Sequence, residues 1–355
     1  MWLKRICRLT IVIIMFSLIT SCGPAPKHKK VGILMPDFAV QRWRDDGEYM
    51  KSMLEEAGYE IDLRYNNNNV GDEIYNIKDM ILGGCDLLVI CSIDQYSPAQ
   101  VLEEAKNANI PVIAYERLIL HSDAVSYFIE LDRRKFCPLQ LEYIERALGL
   151  PEADGPFYIE MFSSFRGDGN SFLAMDTIKA IQAYIDSGKI IVKSGRISLD
   201  QTASQNILEA DQEDVRNLFT ECNYGPEGAR LDAVWCYSDY QARIVTQELL
   251  ARGYTPDNFP IITGADCEIE SVKNIIAGTQ SMSIYWNLSA MPKAAVEMAI
   301  DILKGNPVEI HDLRDNGWEN YAVPTHYVDP VLVTRDNYKE VLVDTGYYTE
   351  DELNR

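Results

Sequence analysis

Three segments of the chain, KKVGILMP at 29–36, CDLLVICS at 85–92 and IPVIAYE at 110–116, carry apolar runs without the alternation of a half-exposed strand. Strands apolar on both faces must be covered on both faces, which is the condition of a parallel sheet sandwiched between helices. The intervening sequence supplies those helices. RDDGEYMKSMLEEAGY sets Met50, Met53 and Leu54 on one helical face before Gly58 stops it, and EIDLRY follows as a strand. DEIYNIKDMILGG and SPAQVLEEAKNAN read as two further amphipathic helices, the first ended by Gly83 and Gly84. Strand and helix thus alternate in three βα repeats.

VSYFIEL then runs as a strand into Asp132, a candidate helix cap, and a second cycle opens after Pro151. It reads GPFYIEMFS as strand, NSFLAMDTIKAIQAYIDSG as helix, KIIVKSG as strand and ASQNILEADQEDVRNLFTE as helix. LDAVWCYS, YQARIVTQELLARGY and FPIITGA continue it as strand, helix and strand. The expected fold is α/β, with two doubly wound parallel-sheet domains. A late helix, LSAMPKAAVEMAIDILKGN, has no sheet of its own to cover and is expected to return to the first domain, so that several chain crossings build a hinge. The expected division is residues 31–131 with 287–322 as an N-terminal lobe and 132–286 with 323–355 as a C-terminal lobe.

Ahead of these lobes, Lys4, Arg5 and Arg8 precede an apolar run from Leu9 to Ile19. That run is too short to span a bilayer, which needs roughly 20 apolar residues, and has the form of a secretory leader over 1–21. Ile19-Thr20-Ser21-Cys22 resembles the lipobox of bacterial lipoproteins, in which the cysteine is diacylated; an ordinary leader with an incidental cysteine is the alternative. Residues 22–30, with Gly23, Pro24, Pro26 and the basic run from Lys27, read as a tether. The expected location is extracytoplasmic, on the membrane through a lipid on Cys22.

The formal charge is −21, and losing residues 1–21 with Lys4, Arg5 and Arg8 makes it about −24. Such a surface disfavours nucleic acid, whose phosphates require a basic face. Six cysteines remain beyond Cys22, with no CxxC pair, and with 47% hydrophobic residues a normal core needs no disulfides; most are expected as buried thiols.

In open parallel sheets ligands bind beyond the C-terminal strand ends. Those ends carry Arg42 and Trp43, Glu116 and Arg117, Asp168 and Asn170, Ser238 and Asp239, and Asp266. Carboxylates and guanidinium forks hold vicinal hydroxyls through paired hydrogen bonds, and Trp43, Phe38 or Trp286 offers a wall for a sugar ring. Each has a plainer reading: Asp168, Asp239 and Asp266 as helix caps, Glu116 with Arg117 as a surface ion pair, Trp43 as a helix anchor. No catalytic set accompanies them. His28, His121, His311 and His326 stand away from the strand ends, and no phosphate loop, nucleophile elbow, metal-ligand cluster or cofactor motif is present. Paired carboxylates leave a glycosidase as the enzymatic alternative.

The segments VGILMPDFAVQRW, DLLVICSIDQ, IPVIAYERLI, YFIELD, GDGNS, LDAVWCYSD, TGADCEIESVKNIIAGTQSMSIY and VLVTRDNYKEVLVDTGYY resemble, in order and nearly end to end, the xylose-binding and multiple-sugar-binding branch of the ribose-binding-like periplasmic binding proteins. The resemblance implies two domains and a three-stranded hinge that close around a monosaccharide without a cofactor. It implies a monomer that passes its sugar to an ABC permease, or reports occupancy to a sensor kinase. It places ligand-binding roles on Arg42, Glu116, Arg117, Asp168, Asn170 and Asp266. Ser238, Ala265 and Trp286 depart from the pattern, where asparagine, an amide and lysine are usual, and a tryptophan near Ile197 to Leu199 is missing.

Overall fold

The computed structural model describes residues 28–150, 152–165 and 171–355. The leader, Cys22 with most of its tether, and the pair Asp168 and Asn170 lie outside the described residues. The described chain divides into two compact units: residues up to Glu130 with Met291–His326, and Leu131–Ala290 with Tyr327–Arg355. The backbone passes from one to the other after Glu130, Ala290 and His326. The expected boundaries fell after 131, 286 and 322. The second and third fall short of the observed passages, after Ala290 and His326, by four residues each, and the third passage lies within Ala322–Val328, one continuous strand that pairs with a strand of the first unit.

In chain order the strands are β1 (Lys30–Met35), β2 (Glu60–Tyr65), β3 (Leu87–Ile90), β4 (Val112–Tyr115), β5 (Tyr127–Leu131), β6 (Phe157–Phe165), β7 (Ile190–Ile191) and β8 (Ala203–Ser204). They continue as β9 (Ala233–Cys236), β10 (Ile261–Ile262), β11 (Met282–Tyr285), β12 (Asp312–Asp315), β13 (Ala322–Val328) and β14 (Val331–Thr334).

The first unit's sheet runs β12-β13-β5-β4-β3-β1-β2. Its pairs from β2 to β5 are parallel, and β12 with β13 is antiparallel. β3 and β4 are buried throughout. On one side Ile77 and Met80 of helix Val70–Leu82 and Val101, Leu102 and Ala105 of helix Ala99–Asn107 share a core with Leu34, Leu88 and Ile90. Each such aliphatic side chain contributes about 1.5–3 kcal/mol on burial. The helix packs so closely that a Cβ on Gly32 would stand 2.7 Å from Leu88 Cδ2 and 2.9 Å from Met80 Sδ. Helix Gln41–Glu56 begins ahead of its expected start and buries Trp43, Asp46, Gly47, Met50 and Leu54. Met53, expected on that face, is 36% exposed, since the buried stripe advances by three and four residues from Trp43 and passes it by. Strand order reverses between β1 and β3, which makes the loops after them the natural ligand crevice of this sheet.

The second unit's main sheet runs β10-β9-β6-β7, with β8 also on β6, and β11 pairs antiparallel with β14. KIIVKSG forms only the two residues of β7, because the chain turns at once through Gly195, whose φ of +72° and N–H to Val192 O close the bend. FPIITGA forms only β10, because the Thr263 hydroxyl takes over the ladder: it accepts from Cys236 N at 2.9 Å and donates to Cys236 O at 3.0 Å. The expected helix ASQNILEADQEDVRNLFTE starts at Leu208, its first residues being used in β8. Beneath the strand ends lies Gln140, fully buried on helix Phe136–Leu148. Its Nε2 donates to the carbonyls of Cys236, Tyr237 and Gly264, and its Oε1 accepts from Trp235 Nε1 at 2.9 Å. One amide thereby fixes the backbone where β9 and β10 end. The cysteines Cys85, Cys91, Cys137, Cys222, Cys236 and Cys267 are buried and free. Among the described residues no helix is long and apolar enough to cross a membrane.

Candidate functional site

In the first unit the loops after β1, β3 and β4 assemble one cluster. Arg42, in the first turn of its helix, meets Glu116 fork to fork: Nη1 donates to Oε1 at 3.2 Å and Nη2 to Oε2. Bidentate pairing of this kind is the strong, directional form of the ion pair. Arg42 Nε lies 3.7 Å from Asp46 Oδ2, too far to donate, and is a buried donor without a hydrogen-bond partner. Burial disfavours the Arg42 cation, but Glu116 and then Asp46 outweigh it and raise its pKa. Asp46 accepts from Tyr115 Oη at 2.8 Å, and burial pushes its carboxyl up to about 6 against the pull of Tyr115 and Arg42.

Glu116 has a φ of +62°, and the N–H of Arg117 reaches back to Tyr115 O at 2.7 Å, so the peptide folds through a tight three-residue turn. Non-glycine residues in this region cost conformational energy and concentrate at functional sites. The turn sends Arg117 to the loop after β3, where Nη1 donates to Ser92 O at 2.9 Å and Ile93 O at 3.1 Å. Ile93 N in turn donates to Glu73 Oε1 at 3.1 Å. Glu73 is fully buried, its Oε2 unmatched, and burial lifts its carboxyl to about 7. Trp43 closes the cluster, with the guanidinium carbons of Arg42 and Arg117 at 4.7 and 5.5 Å from its ring centroid. Phe38 stands apart, edge-on to Tyr65 and 53% exposed.

In the second unit Asp266 follows β10. Its Oδ1 accepts from Trp286 Nε1 at 2.8 Å, and its N–H donates to Ile284 O at 2.9 Å. Asp266 and Cys267 both have positive φ, +96° and +50°, so the chain is bent sharply where the carboxylate is presented. The Asp266 side chain reaches solvent, yet surrounding protein raises its carboxyl above the ordinary range while the indole N–H works the other way. Trp286 lies flat on Phe136, ring centroids 4.7 Å apart and planes 8° from parallel, with the Arg133 guanidinium 5.6 Å from its centroid.

Two expected ligand residues of this unit have other employment. Ser238 is the N-cap of helix Asp239–Ala251, and its hydroxyl and N–H both go to Gln241 Oε1 in a capping box. Asp239 is fully buried: its carboxylate accepts from Ser283 Oγ, Gln280 Nε2 and Glu268 N, and burial pushes it up to about 8. A Cβ on Gly264 would fall 2.1 Å from Asp239 Oδ1, so glycine is what lets this carboxylate reach its partners. Asp239 is therefore a strut under the strand ends, turned inward because Ser238 takes the cap. Nor is Asp266 a cap, Glu268 being the N-cap of helix Ile269–Ala277. Glu116 pairs with Arg42 rather than with its neighbour Arg117. Ala265 is fully buried, its carbonyl receiving the Asp239 N–H at 2.8 Å. Over 197–199, where a tryptophan is missing, the N–H groups of Ile197 and Ser198 are held by Gln201 Oε1.

Arg42, Trp43, Glu116 and Arg117 thus form one contiguous group, and Asp266 with Trp286 a second, each within its own unit. Asp46, Tyr115, Glu73 and Gln140 were missed. Asp46 was legible as the i+4 partner of Arg42; the others read as ordinary strand and helix residues. A cluster of Glu309, His311 and His326 was missed too, since no spacing of metal ligands in the sequence announces it.

Two parallel-sheet units linked by three chain passages, with polar and aromatic groups at the strand ends, define the class of two-lobed solute receptors. The chain belongs to the periplasmic binding protein domain family, whose model matches residues 31–307. It is 36% identical over 328 residues to the multiple sugar-binding periplasmic receptor ChvE of Rhizobium radiobacter, covering 91% of this chain and 92% of that protein. It is 28% identical to the D-xylose-binding periplasmic protein of Escherichia coli, covering 95% and 96%. A solved ABC transporter solute-binding protein from Clostridium phytofermentans, with bound β-D-glucose, is 41% identical with a TM-score of 0.62, over 92% of this chain and all of that one.

Proposed function

We propose that this protein is an extracytoplasmic receptor that captures a monosaccharide, a pentose or hexose of the xylose and glucose type, and delivers it to an ABC importer. The observation that carries this reading is the Arg42–Glu116–Arg117 cluster over Trp43: planar charged groups that donate and accept in pairs beside an aromatic face. Vicinal hydroxyls match such pairs, and an equatorial C–H face matches an indole. Asp266 with Trp286 supplies an acceptor and a second ring from the other unit, and Asp168 and Asn170 complete the polar set. Both groups stand at strand ends of their own unit, where open parallel sheets bind ligands. The relatives named for sugars and the glucose-bound structure support the ligand class. Diacylation of Cys22 keeps the receptor at the membrane, since two chains anchor stably where one does not.

A thermal-shift screen of the protein against pentoses, hexoses and their acids tests the reading. A bound sugar at about 100 times its Kd stabilises by about 2.7 kcal/mol, which raises the melting temperature measurably. A screen in which no monosaccharide shifts the transition overturns it.

A further inference from the structure

The edge hairpin of the first unit brings together three side chains that the sugar site does not use. β12 and β13 pair antiparallel with Asp312 opposite Thr325, and His311 N donates to Thr325 O at 2.8 Å. His311 thus also engages Thr325, the neighbour of His326, and the His311 and His326 ring centroids are 4.6 Å apart. Glu309 stands two residues before His311, in the segment leading into β12. Its Oε1 is 3.5 Å from His311 Nε2 and its Oε2 3.8 Å from His326 Nδ1. One ligand atom from each of the three lies within 4.8 Å of the others.

We propose that Glu309, His311 and His326 form a binding site for a divalent transition metal of the zinc class, with solvent in the fourth position. Zinc–ligand distances of about 2.0–2.2 Å make the edge of a coordination tetrahedron about 3.4 Å, close to the 3.5 Å between Glu309 Oε1 and His311 Nε2. Two imidazoles and one carboxylate suit zinc, whereas calcium and magnesium prefer an all-oxygen shell. His326 Nδ1 lies 3.3 Å from the Glu309 carbonyl. An N–H donated there leaves the lone pair on Nε2, the arrangement by which backbone carbonyls orient metal-binding histidines. Glu309 and His311 are exposed and His326 half-buried, so the ion has a way in, and the protein's net charge of −21 draws cations to it. His326 is the last residue before the chain passes to the second unit, so the ion would brace the strand that leads into that passage.

The test is a titration of metal-free protein with zinc chloride against a chromophoric chelator. One equivalent of zinc binds, and calcium and magnesium do not compete. His311→Ala and His326→Ala each weaken binding at least about 10-fold. Both variants melt like the parent in the absence of metal; should His326→Ala fold poorly, His326→Gln fills the same space and shows the same loss. Absence of stoichiometric binding overturns the proposal, as does an undiminished equivalent in the His311→Ala/His326→Ala double variant, which would place the ion elsewhere.

Discussion

In the first unit the strand-end charges hold one another: Arg42 grips Glu116, Arg117 ties down two carbonyls, and both guanidinium groups lie over Trp43. In the second unit the exposed Asp266 and the half-buried Trp286 share one side-chain hydrogen bond, while a separate buried set, Gln140, Asp239, Gln280 and Ser283, ties the strand ends together. The two arrangements separate function from stability in different ways. Under the proposed function a residue of the first cluster is both contact surface and scaffold. In the second unit the proposed contacts, Asp266 and Trp286, are distinct from the buried residues that fix the strand ends, so either can be altered with less effect on the other.

The largest expected effect follows in the first cluster. Arg42→Ala leaves the Glu116 carboxylate without its fork, and sugar affinity falls at least about 30-fold by calorimetry, with about 1–3 kcal/mol lost in urea unfolding. Both measurements move together there. In the second unit they part. Asp239→Ala abandons three internal donors and lowers unfolding free energy by about 2–4 kcal/mol. Asp266→Asn keeps an acceptor for Trp286 and changes stability by less than about 0.5 kcal/mol, while weakening sugar binding about 10-fold or more. An Asp266→Asn protein as unstable as Asp239→Ala would erase the contrast.

The α/β alternation was legible because continuous apolar runs and helical stripes leave few other folds, and Arg42, Glu116 and Arg117 were legible because they follow strands. Asp239 was misjudged because sequence cannot show a side chain turned inward: its burial depends on Gly264, Gln280 and Ser283, which are distant in the chain. The brevity of β10 likewise depends on one hydroxyl, that of Thr263, displacing a backbone partner. Ser238 offers a smaller test of the same lesson. Replacing this cap by alanine costs about 1 kcal/mol of stability, and sugar affinity measured on the same variant separates a cap, which leaves it unchanged, from a ligand contact, which lowers it.

The pH dependence sharpens the comparison further. Burial lifts Asp46 to about 6 and Glu73 to about 7 in the first unit, and Asp239 to about 8 in the second. The folded state therefore holds protons that the unfolded chain, with carboxylates near 4, has released, and stability declines as pH rises from about 4 through these values. Between pH 5 and 8 the melting temperature falls. Asp46→Asn flattens only the lower part of that slope, whereas Asp239→Asn reduces it across the range; a melting temperature that climbs across this range contradicts the assignment.

Calorimetric titration with D-glucose and D-xylose of the parent protein, Arg117→Ala and Asp266→Asn tests the proposed function and the parts it gives to Arg117 and to Asp266. The expected result is a single saturable site in the parent for at least one of the two sugars, with affinity reduced at least about 10-fold in each variant. Parent-like affinity in either variant, or no heat of binding in the parent, would contradict it.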